Sequence, residues 1–254
     1  RRGGCLLYET KGNKIELTPD GTHAKKSHKH TASLTQKEKD ILADLEECPC
    51  IMKPVPCFSQ GSPDKMLMPL FTGSLSKFYK KLNVANALGI CLQLLEIVKN
   101  LHSGNYHKDG KPVVHLDIKP LNILFEIYRR DDGDEIKIVL IDFGAAQAIE
   151  EDQVDKKQRF LIDGNAYGTI DFCAPEAIRD ASKGTKIDGA KLDIYTIGTS
   201  ISWLVDFESE YFKSNTEIRE ELKHLFAELT CKEPEDRSTL KELEDAIAEF
   251  SNYY

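Results

Sequence analysis

The stretch Val113–Leu124, together with Val139–Gly144, constrains this chain more than any other part of it. In Val113-Val114-His115-Leu116-Asp117-Ile118-Lys119-Pro120-Leu121-Asn122-Ile123-Leu124 an apolar run delivers His, Asp, Lys and Asn into a short loop, then resumes as a second apolar run. Apolar runs of this length fit buried strands, so the polar groups between them are held at the edge of a core. A further strand, expected over Ile136–Ile141, ends in Asp142-Phe143-Gly144. A second carboxylate thus emerges from the same kind of edge, and the glycine lets the chain turn away.

Two carboxylates, one amide and one lysine match what phosphoryl transfer needs: an orienting group at the attacking hydroxyl, oxygen ligands for Mg²⁺ and a cation on the transferring group. Asp117 can orient the hydroxyl, Asn122 and Asp142 can hold the metal, and Lys119 can neutralise developing charge. His-Leu-Asp-Ile-Lys-Pro-Leu-Asn and Asp-Phe-Gly, in this order, resemble the catalytic loop and magnesium motif of the eukaryotic protein kinase family. The resemblance implies an α+β fold in two lobes that form one domain over 1–254. A small β-rich N-lobe with one long helix would occupy 1–71, and a mostly α-helical C-lobe 72–254. It also implies ATP and Mg²⁺ as cofactors.

A chain of 254 residues, 41% hydrophobic, can bury a sizeable core. Its formal charge of −8 argues against a general nucleic-acid binder, which needs clustered cations. No apolar run is expected to span a membrane and no N-terminal signal pattern is visible, so a soluble protein is expected, cytoplasmic or a secreted effector. Seven scattered cysteines suggest no disulfide framework. Cys48, Cys50 and Cys57 cluster without the Cys-x-x-Cys spacing of structural zinc, so packing thiols are expected there.

Toward the N-terminus, Gly4–Thr10, Lys14–Thr18 and Thr22–Ser27 read as three strands separated by turns at Lys11-Gly12-Asn13 and Pro19-Asp20-Gly21. No Gly-x-Gly-x-x-Gly lies between the first two, where the family covers the nucleotide phosphates with backbone amides. The resemblance makes Lys26, with Lys25 second, the candidate for the lysine that holds the inner phosphates; a solvated lysine in a basic loop is the alternative. Ser33–Glu47 has helical periodicity and opens with overlapping capping boxes, Ser33-x-x-Gln36 and Thr35-x-x-Glu38. Glu38 stands where the resemblance puts the partner of the strand lysine, or it merely caps the helix.

Ile51–Phe58 and Lys65–Phe71 read as two more strands. Met68-Pro69-Leu70-Phe71-Thr72-Gly73-Ser74-Leu75 resembles the hinge between kinase lobes, with Met68 guarding the adenine pocket. Pro69 keeps its C=O and Phe71 its N–H, the acceptor and donor that adenine needs. Leu124 joins them among the implied nucleotide-binding positions. Val84–His102 repeats apolar residues at three and four, as a core helix does. The polar insertion Ser103–Lys111 is expected on the surface, and Asp131–Glu135 is expected to turn between strands.

Gly168-Thr169-Ile170-Asp171-Phe172-Cys173-Ala174-Pro175-Glu176 resembles the end of a kinase activation segment. Thr169 together with Lys119 follows the serine/threonine pattern. Residues 145–166 contain no Ser, Thr or Tyr, and Leu116 stands where switch-regulated kinases carry a phosphate-receiving arginine. The segment is therefore expected to be constitutively arranged or controlled by a partner. Asp193 should tie back to the catalytic-loop backbone or cap a helix, and Arg237 should pair with Glu176. Between Phe207 and Thr216 a family helix looks shortened or lost.

Together these features imply a divergent serine/threonine kinase acting on a protein substrate. The alternative, drawn from the missing glycine loop, is a pseudokinase scaffold that works through a regulatory protein.

Overall fold

The computed structural model describes residues 6–9, 13–28, 32–45, 48–54, 65–78, 82–130, 133–163, 168–180, 183–206 and 209–252. Strands β1 (Leu6–Glu9), β2 (Asn13–Leu17), β3 (His23–His28) and β4 (Lys65–Pro69) form a four-stranded antiparallel sheet in that order. The β2–β3 turn is fixed by Asp20, whose Oδ1 accepts from Thr18 Oγ1 at 2.6 Å and from the Thr22 N–H at 3.1 Å. These bonds, that from Thr18 first, lower its carboxyl to about 2. The turn Lys11-Gly12-Asn13 lies largely outside the described residues.

The register pairs Ile15 with Lys26, Lys26 with Met66, and Ala24 with Met68. Cross-strand partners share a face, so one buried apolar face carries a single lysine, Lys26. Lys25 lies on the other face, 3.5 Å from Glu16. Helix α1 (Ala32–Asp44) buries Ile41 and Leu42 against this sheet. Because it begins at Ala32, neither Ser33 nor Thr35 is its N-cap, which corrects the expected capping boxes. The expected strand Ile51–Phe58 is also corrected over its described part, where Ile51 makes only an isolated parallel bridge to Leu140 and 52–54 are irregular; 55–64 fall outside the described residues.

The chain then becomes mainly helical. After β5 (Gly73–Ser74) and α2 (Leu75–Phe78) comes α3 (Val84–Ser103), capped by the Asn83 side chain and ended by Gly104 at φ 72°. By length and composition α3 could cross a membrane, contrary to the sequence expectation, but Leu94, Leu95, Val98 and Leu101 lie buried in the core. Strand β6 (Val113–Val114) pairs with β9 (Gln147–Ala148). Between them β7 (Ile123–Arg130) and β8 (Gly133–Leu140) form a long hairpin, tighter than the expected turn at Asp131–Glu135. Strand β10 (Leu161–Asp163) pairs with β11 (Lys186–Asp188), and α4 (Pro175–Asp180) lies between them in sequence.

Helix α5 (Gly189–Asp206) is followed by α6 (Glu210–Ser214), α7 (Thr216–Ala227) and α8 (Leu240–Phe250). Five residues of helix thus survive in the gap where the element looked shortened or lost. Helix α8 opens with a capping box between Thr239 and Glu242. One apolar cluster runs from Ala24, Leu42 and Met66 through Leu94 and Phe143 to Ile197, Phe226 and Ile247. A smaller second cluster lies beneath β6 and β10.

Candidate active site

The site is built on the β7–β8 hairpin, whose ladder starts at the pair Ile123–Leu140. The loop before β7 carries Asp117, Lys119 and Asn122, and the residues after β8 carry Asp142. Pairing the strands therefore brings distant loops to one place. His115 is fully buried and rigidifies the junction: its Nδ1 accepts from the Asp117 N–H at 3.3 Å, so Nε2 carries the proton toward Ile141 O at 3.1 Å.

Leu116 (φ 68°) and Asp142 (φ 69°) both occupy the left-handed region, which non-glycine residues adopt only when their surroundings force it. For Leu116 the force is visible. The buried Asp193 carboxylate accepts from the backbone N–H of His115 at 2.9 Å and of Leu116 at 2.7 Å. It also meets His102 Nε2 at 2.9 Å. Asp193 thus ties back to the catalytic-loop backbone and does more than cap a helix.

Lys26, only 3% exposed, extends from β3 to Glu38 and Asp142. Its Nζ lies 3.0 and 2.9 Å from the two Glu38 oxygens and 2.6 Å from Asp142 Oδ1. Glu38 Oε1 also accepts from the Phe143 N–H at 3.0 Å, so α1, β3 and the residues after β8 share one ionic junction. Burial pulls the Lys26 ammonium down, but the Asp142 and Glu38 charges outweigh it and the net shift is upward. Burial likewise pushes the Asp142 carboxyl up, and Lys26, aided by Lys119, overcomes it and holds the group below its ordinary value.

Across the cleft, Asp117 Oδ2 lies 2.6 Å from Lys119 Nζ and 3.0 Å from Asn122 Nδ2. Thr169 closes the group: its hydroxyl donates to Asp117 Oδ1 at 3.0 Å and accepts from Lys119 Nζ at 2.6 Å. Gly168 makes this approach possible, because at φ 82° a Cβ there would meet Leu116 O at 2.7 Å. The cleft between the two groups has a volume of about 550 Å³. Met68, Pro69, Phe71 and Leu124 line its apolar end, with Asp117, Lys119, Asn122 and Asp142 at the other. The sequence-predicted site residues other than Lys26, Glu38 and Thr169 line the cleft. Lys26 bonds to Asp142 and Thr169 to Asp117 and Lys119, which line it, and Glu38 reaches it through Lys26.

The sequence reading missed Ile15, Ala24 and Ile141, which also line the cleft. Ala24 was within reach of a period-two argument, since it lies two residues before Lys26 on the same strand.

The oxygen donors suit a hard cation. Asn122 Nδ2 is committed to Asp117 O and Oδ2, which leaves its Oδ1 to a ligand, and Asp142 holds Lys26 through Oδ1 alone. Among the described residues no group of three or more His, Cys, Asp or Glu could hold a metal. Mg²⁺ is usually bound through one or two protein oxygens and completed by substrate phosphates, a number that Asn122 and Asp142 would fit.

Apolar side chains pack the segment that follows Asp142 against the loop before β7. Leu116, Ile149 and Ile162 are each at most 2% exposed and pack in one cluster with Val114 and Ile187. Leu116, at the position where switch-regulated kinases carry a phosphate-receiving arginine, is thus packed among apolar side chains, and Tyr167 lies outside the described residues. Below it, buried Arg237 forms a two-pronged pair with Glu176 at 2.7 and 2.6 Å. Cys48 is a packing thiol, raised by burial to about 11, whereas Cys50 is exposed, against expectation, and Cys57 lies outside the described residues.

A family pattern described as protein kinase domain matches residues 21–247. Among curated relatives, serine/threonine-protein kinase A of Synechocystis sp. is 31% identical over 139 residues, 54% of this chain and 24% of that one. Serine/threonine-protein kinase ppk34 of Schizosaccharomyces pombe is 30% identical over 151 residues, 53% of this chain and 38% of the relative. The dual specificity mitogen-activated protein kinase kinase hemipterous of Drosophila melanogaster is 28% identical over 241 residues, 90% of this chain and 18% of its own length. The chain thus spans well under two thirds of each of these relatives.

Proposed function

The chain belongs to the protein kinase family, and from that premise we propose that it transfers phosphate from ATP, with Mg²⁺, to serine or threonine hydroxyls of proteins. In this proposal residues 1–71 and 72–254 act as the two lobes of one domain. The observation that carries it is the convergence of Asp117, Lys119, Asn122 and Asp142 on a single cleft, with Lys26 bonded to Asp142 behind it. Asp117 orients the acceptor hydroxyl, in the position where Thr169 Oγ1 now reaches it, and Lys119 steadies the transferring group. Lys26, fixed by Glu38, grips the inner phosphates. Adenine packs against Ala24, Met68 and Leu124, with Pro69 C=O and Phe71 N–H as its acceptor and donor. Asn122 and Asp142 would hold Mg²⁺, which supplies neutralisation of the phosphate charge when bound.

A second proposal, a scaffold that works by protein contacts, draws on the absence of Gly-x-Gly-x-x-Gly before β3. Melting with ATP, with and without Mg²⁺, separates the two, because a ligand of the folded state must raise the melting temperature. The enzyme proposal expects a Mg²⁺-dependent rise that Lys26→Ala abolishes, and expects Asp117→Asn to keep the rise while losing at least about a hundredfold in transfer. No rise in the wild type, with no transfer, would favour the scaffold.

A further inference from the structure

Ser103–Lys111 reads in sequence as a polar insertion with no task, yet the structure ties it to the two elements that a working cleft must hold still. The loop is internally ordered. His107 N–H donates to Gly104 O at 3.1 Å, Gly110 N–H to His107 O at 2.8 Å, and Asp109 N–H to His107 Nδ1 at 3.1 Å. Its base is closed by a near-contact, since a Cβ on Gly104 would lie 2.3 Å from Gly110 O. From this base the tip reaches the last residue of α1.

Lys108 N–H donates to Asp44 O at 2.8 Å, satisfying a carbonyl at the helix end, and Lys108 Nζ lies 2.6 Å from Asp44 Oδ1. His107, 7% exposed, faces Asp44 Oδ2 with Nε2 at 3.8 Å. Its Nδ1 is an acceptor, so the proton sits on Nε2, on the side of the carboxylate. At its other end the loop leads into the activation segment: Lys111 Nζ pairs with Glu150 at 2.7 Å and Pro112 O accepts from the Ile149 N–H at 2.8 Å.

We propose that Ser103–Lys111 is a built-in clamp that holds α1 against the body of the protein, keeping Glu38 on Lys26, with Asp44 as the positioning residue through which it acts. Glu38 lies on the same helix as Asp44, and its carboxylate reaches Lys26 and the Phe143 N–H. A helix seized at its C-terminal end cannot swing outward without breaking the Lys108 bonds. The significance for catalysis rests on the kinase proposal, but the clamp itself does not.

The experiment is amide hydrogen exchange on the full chain with Asn105–Asp109 excised and Gly104 joined to Gly110, a deletion that the closed base of the loop permits. The clamp predicts exchange in α1 faster by about tenfold, the equivalent of one backbone hydrogen bond with its ion pair, while α8 is unchanged. Faster exchange throughout would mean a merely structural loop, and unchanged exchange in α1 would overturn the clamp. Should the excised chain fail to fold, Asp44→Lys and Lys108→Glu decide. Each alone should speed α1 exchange about twofold, in keeping with a half-exposed pair, and the double variant should restore it. No restoration would refute Asp44 as the positioning residue. Exchange needs no turnover, so an inactive wild type would sink the kinase proposal and leave this test standing.

Discussion

Replacing Lys26 by methionine probes the ionic junction under the cleft, and its effect should depend on pH in a direction that the geometry fixes. Lys26 is 3% exposed and its ammonium faces two carboxylates at 2.6 to 3.0 Å. Methionine matches its length but removes the cation that Glu38 and Asp142 share. Breaking a buried pair from one side costs about 3–5 kcal/mol, which for a chain of this size lowers Tm by about 6–20 °C. In the wild type the lowered Asp142 carboxyl contributes stability above its unfolded pKa, near about 4, that is lost as pH falls through the folded value. The raised Lys26 contributes stability below its unfolded pKa of about 10.4 that is lost as pH rises through the folded value. With the Lys26 charge gone, burial, the largest influence on Asp142, is opposed only by Lys119 and His115, so the carboxyl rises, and the variant's penalty is largest near pH 7 and shrinks toward pH 4. Urea unfolding of both proteins from pH 4 to 8 reads this directly. A stability difference that stays constant over that range, or one that grows toward acid, would refute the reasoning.

Glu176→Gln should cost about 3–5 kcal/mol by leaving Arg237 buried opposite a neutral amide, and calorimetry should show a melt lowered by at least about 6 °C. Ile162→Ala, at a fully buried position of the second cluster, should cost about 2–5 kcal/mol and make 145–163 more sensitive to limited proteolysis; an unchanged cleavage pattern would show that packing there does not hold the segment. Thr169→Val keeps the shape and removes the hydroxyl between Asp117 and Lys119, so it should lower kcat with little change in the Mg·ATP-induced thermal shift.

What could be read from the chain alone depended on covalent neighbourhood. Asp117, Lys119 and Asn122 fall within one loop between apolar runs, and Asp142 ends another, so their chemistry and their shared edge were visible in order and spacing. Lys26 was legible as one of two lysines, and only the β2–β3 register, with Ile15 opposite it and Lys25 beside Glu16, chooses between them. The capping boxes at Ser33 and Thr35 misled because a local pattern was satisfied twice while the helix begins ahead of both. Ile51–Phe58 is apolar enough for a strand, but apolarity supplies no ladder partner, and Ile51 finds only a single bridge. The contact of Lys108 with Asp44 joins residues far apart in sequence through a loop that periodicity cannot describe. The burial of Leu116 against Ile149 and Ile162 was out of reach for the same reason, although the missing arginine and hydroxyls hinted that something else must hold the segment.

The central claim is that this cleft transfers phosphate, and the most direct measurement is the initial rate of label transfer from γ-labelled ATP to a serine- and threonine-containing protein such as casein. Wild type and Asp142→Asn would be assayed with and without Mg²⁺. Mg²⁺-dependent incorporation into serine or threonine by the wild type, lost in Asp142→Asn, is the predicted result. Incorporation that persists undiminished in Asp142→Asn, or a wild type that neither transfers phosphate nor is stabilised by Mg·ATP, would contradict it.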